Sequence, residues 1–124
     1  MTTLFLKKDI KIMNKPVKQV SELDKKYYNL LREDVSNFLK NSADKYDNES
    51  VLILDIAPQD HEGAVAYFNK GIVETLDIDP LSGATYIADI CKDNTGVIPE
   101  EQFDIVVCTE VLEHTLNPFK AVDE

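Results

Sequence analysis

The sequence predicts an α/β domain: a parallel sheet preceded by an amphipathic helix. Two patterns carry this expectation. Between Val51 and His114 four short apolar runs recur, each leading into an acidic residue or segment. Val51-Leu52-Ile53-Leu54 leads to Asp55, residues 72–76 to Asp77, residues 84–88 to Asp89, and residues 104–108 to Thr109-Glu110-Val111-Leu112-Glu113-His114. Short apolar runs separated by helical or turn-like segments mark buried parallel strands joined by crossovers. Upstream, Tyr27, Leu30, Leu31, Val35, Phe38 and Leu39 recur at helical spacing among Lys and Glu, so residues 22–45 read as one amphipathic helix.

Taken in order, residues 1–20 are weakly patterned. Leu4, Leu6, Ile10 and Ile12 alternate with other residues, which suits a short strand or an extended arm that Pro16 interrupts. Ser21 followed by Asp24 is a helix start, the hydroxyl capping a backbone N–H and the acid favouring the positive end. Residues 44–50 form a polar linker into the first strand. Asp60 can cap a helix over residues 62–69, with Ala64, Val65, Tyr67 and Phe68 on its apolar side and Gly71 as a left-handed exit. The second strand covers residues 72–76, and Asp79-Pro80-Leu81-Ser82-Gly83 is a turn signal. A third strand is expected at residues 85–88. Asp93-Asn94-Thr95-Gly96 and Pro99 break the chain before a fourth strand at residues 103–108, and a helix begins around residues 116–118. The expected organisation is an arm and helix over residues 1–50 and a ligand-binding domain over residues 51–124.

The bulk properties narrow the function. At 124 residues, with 13 Lys and Arg against 23 Asp and Glu and a net charge of −10, the chain is unsuited to gripping nucleic acid through its phosphates. Lys7, Lys8, Lys11, Lys15 and Lys18 cluster around Asp9 and read as a solvated surface. No apolar stretch approaches the ~20 residues of a membrane span. The N-terminus lacks the order of a secretory signal. Cys91 and Cys108 are too few and too far apart for a zinc framework, so no metal is expected. They read as reduced thiols, Cys108 as a small core residue, in a cytoplasmic protein.

In open parallel sheets ligands bind beyond the carboxyl ends of the strands, which makes Asp55, Asp77 and Asp89 candidate contacts. Asp77 lies 22 residues after Asp55, where a nucleotide-binding βαβ unit places the acid that accepts from two ribose hydroxyls. Its plain alternative is the first residue of the turn with Asp79 and Pro80. The loop after the first strand is Asp55-Ile56-Ala57-Pro58-Gln59-Asp60-His61-Glu62-Gly63, without the paired glycines that admit a pyrophosphate. Asp60 and Glu62 would repel one. A phosphate-free cofactor with a ribose, an adenine and a cationic sulfonium fits better, and S-adenosylmethionine has all three.

On Leu54-Asp55-Ile56, Thr75-Leu76-Asp77-Ile78-Asp79, Ala88-Asp89-Ile90 and Phe103-Asp104-Ile105-Val106-Val107-Cys108-Thr109-Glu110-Val111-Leu112-Glu113-His114, residues 51–124 resemble the first half of a class I S-adenosylmethionine-dependent methyltransferase. The resemblance implies a Rossmann-like sheet in the order 3-2-1-4, cut short before the family's fifth strand. It places Asp55 and Ala57 near the methionine end of the cofactor. Asp77 would bind the ribose hydroxyls, with Ile78 among the same contacts. Asp89 would accept from the adenine amino group, with Ile90 beside the ring, and Cys108 and Thr109 would line the floor under the sulfonium.

Ala57, Gln59 and His61 stand where the family has glycines. Ala57 suits the loop if its backbone angles are ordinary, whereas Gln59 adds a side chain where close backbone approach is usual. His114 is the candidate general base, while His61 reads as a solvent-facing residue and Glu110 and Glu113 as acids favoured at a helix start. The expected activity is methyl transfer to a small molecule or glycan intermediate. The unfinished sheet edge invites pairing with another copy or chain. Two other readings are a non-catalytic interaction or regulatory module that keeps this fold, and a nicotinamide-dependent oxidoreductase, which the loop disfavours.

Overall fold

A computed structural model of the chain describes residues 20–59 and 61–124. The expected arm and the capping role of Asp60 lie outside the described residues. Compactness divides the chain into two units, Met1–Arg32 and Glu33–Glu124. Helix α1 spans Glu22–Tyr46. In the first unit its start is built as the sequence predicts: Ser21 Oγ accepts from the Asp24 N–H at 3.1 Å and donates to the Asp24 carboxylate at 2.6 Å. Among the described residues no helix is long and apolar enough to cross a membrane.

The second unit carries the sheet. Strands β1 (Leu52–Ile56), β2 (Ile72–Asp77), β3 (Tyr86–Ile87) and β4 (Ile105–Val107) are all parallel, in the order β3-β2-β1-β4. Ile53 lies beside Val73 and Ile105, and Leu54 beside Glu74 and Val106. Neighbours in register share a face and successive residues alternate, so each strand has one side of each kind. The Ile53 side is the dry one. There Leu39 and Ala43 of α1 join Val51, Ile53, Ala64, Phe68 and Val107 in a buried cluster, with Val35, Val73 and Ile105 packed against it. Val35, Leu39 and Ala43 follow a four-residue spacing, one row of a helix. Phe38, expected on the same stripe, is 58% exposed, because a step of one residue turns it about 100° off that row.

Strand β4 is shorter than the expected residues 103–108, and two further elements differ for local reasons. Residues 62–69 do not form an α-helix: only a 3₁₀ turn, Gly63–Ala66, is present. The Asp47 carboxylate takes the N–H groups of Asn69 at 2.8 Å, Lys70 at 3.0 Å and Gly71 at 2.8 Å, steering the chain straight into β2. Gly71 is not a left-handed exit. A Cβ there would stand 2.3 Å from Val51 Cγ1 and 2.8 Å from Ile53 Cδ1, so glycine is required by close approach. Strand β3 is shorter than expected because Thr75 and Thr85 exchange N–H to hydroxyl bonds of 3.1 Å in place of backbone rungs. At the C-terminal end a 3₁₀ turn, Leu112–His114, precedes helix α2 (Pro118–Asp123), capped by the Asn117 side chain on the Lys120 N–H at 3.1 Å.

Desolvation pushes the Asp47 carboxyl up, but the backbone donors of Gly71, Asn69 and Lys70, with the Lys70 charge, hold it below the usual carboxylate range. A carboxyl depressed in the folded state stabilises above its unfolded pKa and loses that contribution as pH falls through the folded value. Asp47→Ala should therefore lower the thermal midpoint at neutral pH, and the deficit should shrink in acid below the depressed pKa. Parallel melts of the two proteins across that range measure it.

Candidate functional site

The carboxyl ends of the four strands bring the predicted residues to one edge. Asp55, the fourth residue of β1, is only 3% exposed, and its Oδ2 accepts from the Ala64 N–H at 2.7 Å. Burial pushes its carboxyl above the usual range, against the opposing pull of that hydrogen bond. Ala57 continues β1 by donating its N–H to the Leu76 carbonyl at 2.7 Å, next to Asp77. Its φ is +50° and that of Gln59 is +51°. Ala57 thus does not meet the condition of ordinary angles under which it would suit the loop. The loop adopts at two non-glycine residues a left-handed backbone that costs roughly 1–2 kcal/mol per residue.

Gly63 is the true glycine of this loop, and the sequence pattern does not single it out. Its φ is +61°, and a Cβ there would fall 2.3 Å from Asp55 Oδ2 and 2.7 Å from Pro58 Cβ. The Asp55–Ala64 hydrogen bond and the absent side chain at Gly63 are parts of one device. The chain must pass directly over the carboxylate to present the Ala64 N–H to it.

At the end of β2, Asp77 is 7% exposed, and its Oδ1 accepts from the Asp79 N–H at 2.9 Å. Its carbonyl accepts from Ala88 at 2.9 Å, tying it to the end of β3. Asp77 is therefore both a strand-end acid and the head of a turn. Ile78 is exposed. Beyond β3 the half-buried Asp89 accepts from the Cys91 N–H at 2.9 Å, with Lys92 Nζ 3.6 Å from its other oxygen. The loop that follows is organised by Asn94, a residue that reads in the sequence as part of a chain break. Asn94 is 6% exposed, donates from Nδ2 to the Asp89 and Lys92 carbonyls at 3.0 Å, and accepts from Val97 and Ile98. Ile90 is half-buried beside it.

At the end of β4 Cys108 and Thr109 are half-buried. Burial first, then the charges of Glu113 and Asp55, push the Cys108 thiol up, so it is a neutral thiol rather than a nucleophile near neutral pH. Glu110 is left-handed, with φ +57°. His114 closes the second 3₁₀ turn and is exposed, as is His61. Among the described residues no group of three or more His, Cys, Asp or Glu could hold a metal ion.

This fold and edge define a parallel α/β domain with acids buried at the ends of its two central strands. Comparison with protein-family models, with curated proteins and with solved structures gives no match.

Two substitutions test the loop. Gly63→Ala should cost about 2 kcal/mol or more, through left-handed strain and overlap with Asp55. Gln59→Gly should leave stability unchanged or raise it by up to about 1 kcal/mol, since glycine accepts positive φ without strain. Chemical denaturation of both variants reads these differences. Asp55 gives a further pair. Asp55→Ala leaves the Ala64 N–H without its acceptor and should cost about 1–3 kcal/mol. Asp55→Asn keeps an acceptor without the buried charge. Because the folded pKa is raised, the ionised form opposes folding, so at neutral pH Asp55→Asn should be at least as stable as the natural chain.

Proposed function

We propose that this chain binds S-adenosylmethionine at the carboxyl edge of its sheet and serves methyl transfer to a small molecule or glycan intermediate. The observation that carries the reading is the sheet order. Connections from β1 run to β2 on one side and from β3 to β4 on the other, so the switch point lies beside β1, where open parallel sheets bind their ligands. Asp77 and Asp89 then fall at the strand ends where a ribose and an adenine would be met. The loop after β1 turns left-handed at Ala57 and Gln59, the backbone that glycines otherwise supply.

The residues present fit the cofactor's chemistry. Asp77, with Ile78, would hold the ribose hydroxyls. Asp89 and Ile90 would flank the adenine, and Ala57 the methionine end. Cys108 and Thr109 would line the sulfonium side, where a neutral thiol adds no competing charge. When bound, the cofactor supplies an activated methyl group on a cationic sulfur. The chain's own task is to orient it and to surround it with acids rather than bases, and positioning of this kind can supply most of the rate. His114, exposed beyond β4, is the candidate imidazole to take a proton from an acceptor.

A second reading, a non-catalytic module with the same fold, draws support from Asp55, whose buried carboxylate is already engaged by Ala64. Calorimetric titration separates the readings. Saturable binding of S-adenosylmethionine is expected, weakened by about 1.5–3 kcal/mol in a folded Asp77→Ala variant, the scale of hydrogen bonds to a charged group. Gln59→Gly should tighten binding or leave it unchanged. Absence of binding would favour the module, and binding of a nicotinamide dinucleotide instead would favour an oxidoreductase.

A further inference from the structure

The sheet's second face holds a cavity of about 670 Å³ that the acids of the carboxyl edge do not line. Its floor is apolar and comes from adjacent strands: Leu54 beside Val106, and Ile56 beside Leu76. The volume lies within the roughly 300–1,000 Å³ typical of small-molecule sites. The floor is open to solvent at one end and closed at the other. Val106, in the middle of β4, is 56% exposed, whereas its in-register neighbour Leu54 is 6% exposed.

The walls are held apart by hydrogen bonds rather than by packing. The segment carrying α2 is tied at both ends to the loop after β3: Cys91 Sγ donates to the Asn117 carbonyl at 3.4 Å, and the Asn94 N–H donates to Glu124 Oε1 at 2.6 Å. Collapse of α2 onto the floor would break both ties, so the cavity is preformed. Its charged lining is of one sign. Glu100, Glu101, Asp123 and Glu124 reach it, and among the described residues no lysine or arginine does. One of these, Glu101, is held at φ +54°.

We propose that this cavity is a binding site for a hydrophobic organic cation, with the apolar body on the Leu54–Val106 floor and the charge at the acidic rim. The cavity borders the carboxyl edge, sharing Ile90 and Cys108 with it but none of its strand-end acids, and the proposal does not depend on methyl transfer. An apolar body gains the burial of Val106 and its neighbours, and among charged groups a positive charge meets only carboxylates. An anion of the same shape would meet uncompensated repulsion. Shape decides whether a molecule enters, and the sign of its charge decides which one stays.

Two ions of nearly identical shape and opposite charge isolate these terms: tetraphenylphosphonium and tetraphenylborate, each titrated calorimetrically into the 124-residue chain. Saturable binding of one equivalent of the phosphonium is expected, with the borate at least about tenfold weaker at low ionic strength, where exposed charges act most strongly. Val106→Trp, which fills the open end of the floor, should weaken the phosphonium at least about tenfold. The Glu100→Gln/Glu101→Gln variant, altered only at exposed positions, should weaken it by about three- to tenfold and leave the borate unweakened. Asp77→Ala should leave the phosphonium affinity unchanged, because Asp77 does not line the cavity, which separates binding here from binding through the strand-end acid of β2. The proposal is overturned if the phosphonium does not saturate, if the borate binds equally well, or if the double glutamate variant binds the phosphonium as the natural chain does. A folded Val106→Trp variant with undiminished affinity would overturn it as well.

Discussion

The hydrogen bond from the Ala64 N–H to the buried Asp55 carboxylate is the contact on which the core and the candidate site both depend. It lies at the end of β1, one of the two strands hydrogen-bonded on both sides. Toward the interior, Ala64 and Ile53 belong to one dry cluster, so the bond pins the loop onto the core. Toward solvent, the same bond requires the chain to cross over Asp55 without a side chain at Gly63. That crossing is reached through left-handed turns at Ala57 and Gln59. Strain of this kind persists only where the surroundings over-determine it. Here a buried carboxylate, a backbone donor and the Ala57–Leu76 bond together do so.

The two faces of the sheet are finished differently, and this divides the molecule's chemistry. On the Ile53 face, α1 and the 3₁₀ turn complete a close-packed layer with Leu39, Ala43, Ala64 and Phe68. On the Leu54 face the covering segments are irregular: a loop ordered by Asn94 and the six-residue helix α2. A parallel sheet normally has both faces covered. Two hydrogen-bonded ties hold this cover over the floor. The apolar floor is the surface on which the proposed cation would lie.

How much of this was legible in the sequence depends on the range of the forces involved. The strands follow from apolar periodicity and from the acids closing each run, both local signals, whereas their order was implied only by the family resemblance those runs carry. The start of α1 at Ser21 and Asp24 is equally local. What the pattern could not reveal involves partners distant in the chain. The helix expected over residues 62–69 yields to Asp47, a linker residue whose carboxylate captures the N–H groups of Asn69, Lys70 and Gly71. Gly71 looked like a helix exit, but its lack of a side chain answers to Val51 and Ile53 in the preceding strand. Asn94 read as a break in the chain and proves to be the most connected residue of its loop. The carboxyl-edge acids were legible because strand ends are their own signal. The cavity on the opposite face was not, since it is bounded by segments that share no motif.

Charge ties the two regions together. A net charge of −10 gives the whole chain a field that repels anions, and both proposed binding surfaces reinforce it locally. At the carboxyl edge Asp55 and Asp77 are buried, where the effective dielectric is low and a nearby cation is attracted more strongly than in water. At the cavity rim the glutamates are exposed, so their influence is broader, weaker and more easily screened by salt. The same sign of charge thus acts in two regimes. The edge suits a ligand held by specific hydrogen bonds around a positive centre, and the cavity suits one held mainly by shape, with charge as the filter. A sulfonium nucleoside has many polar atoms to satisfy and belongs to the first regime. A greasy cation with few polar atoms belongs to the second, because it has nothing to offer the backbone and carboxylate acceptors at the strand ends.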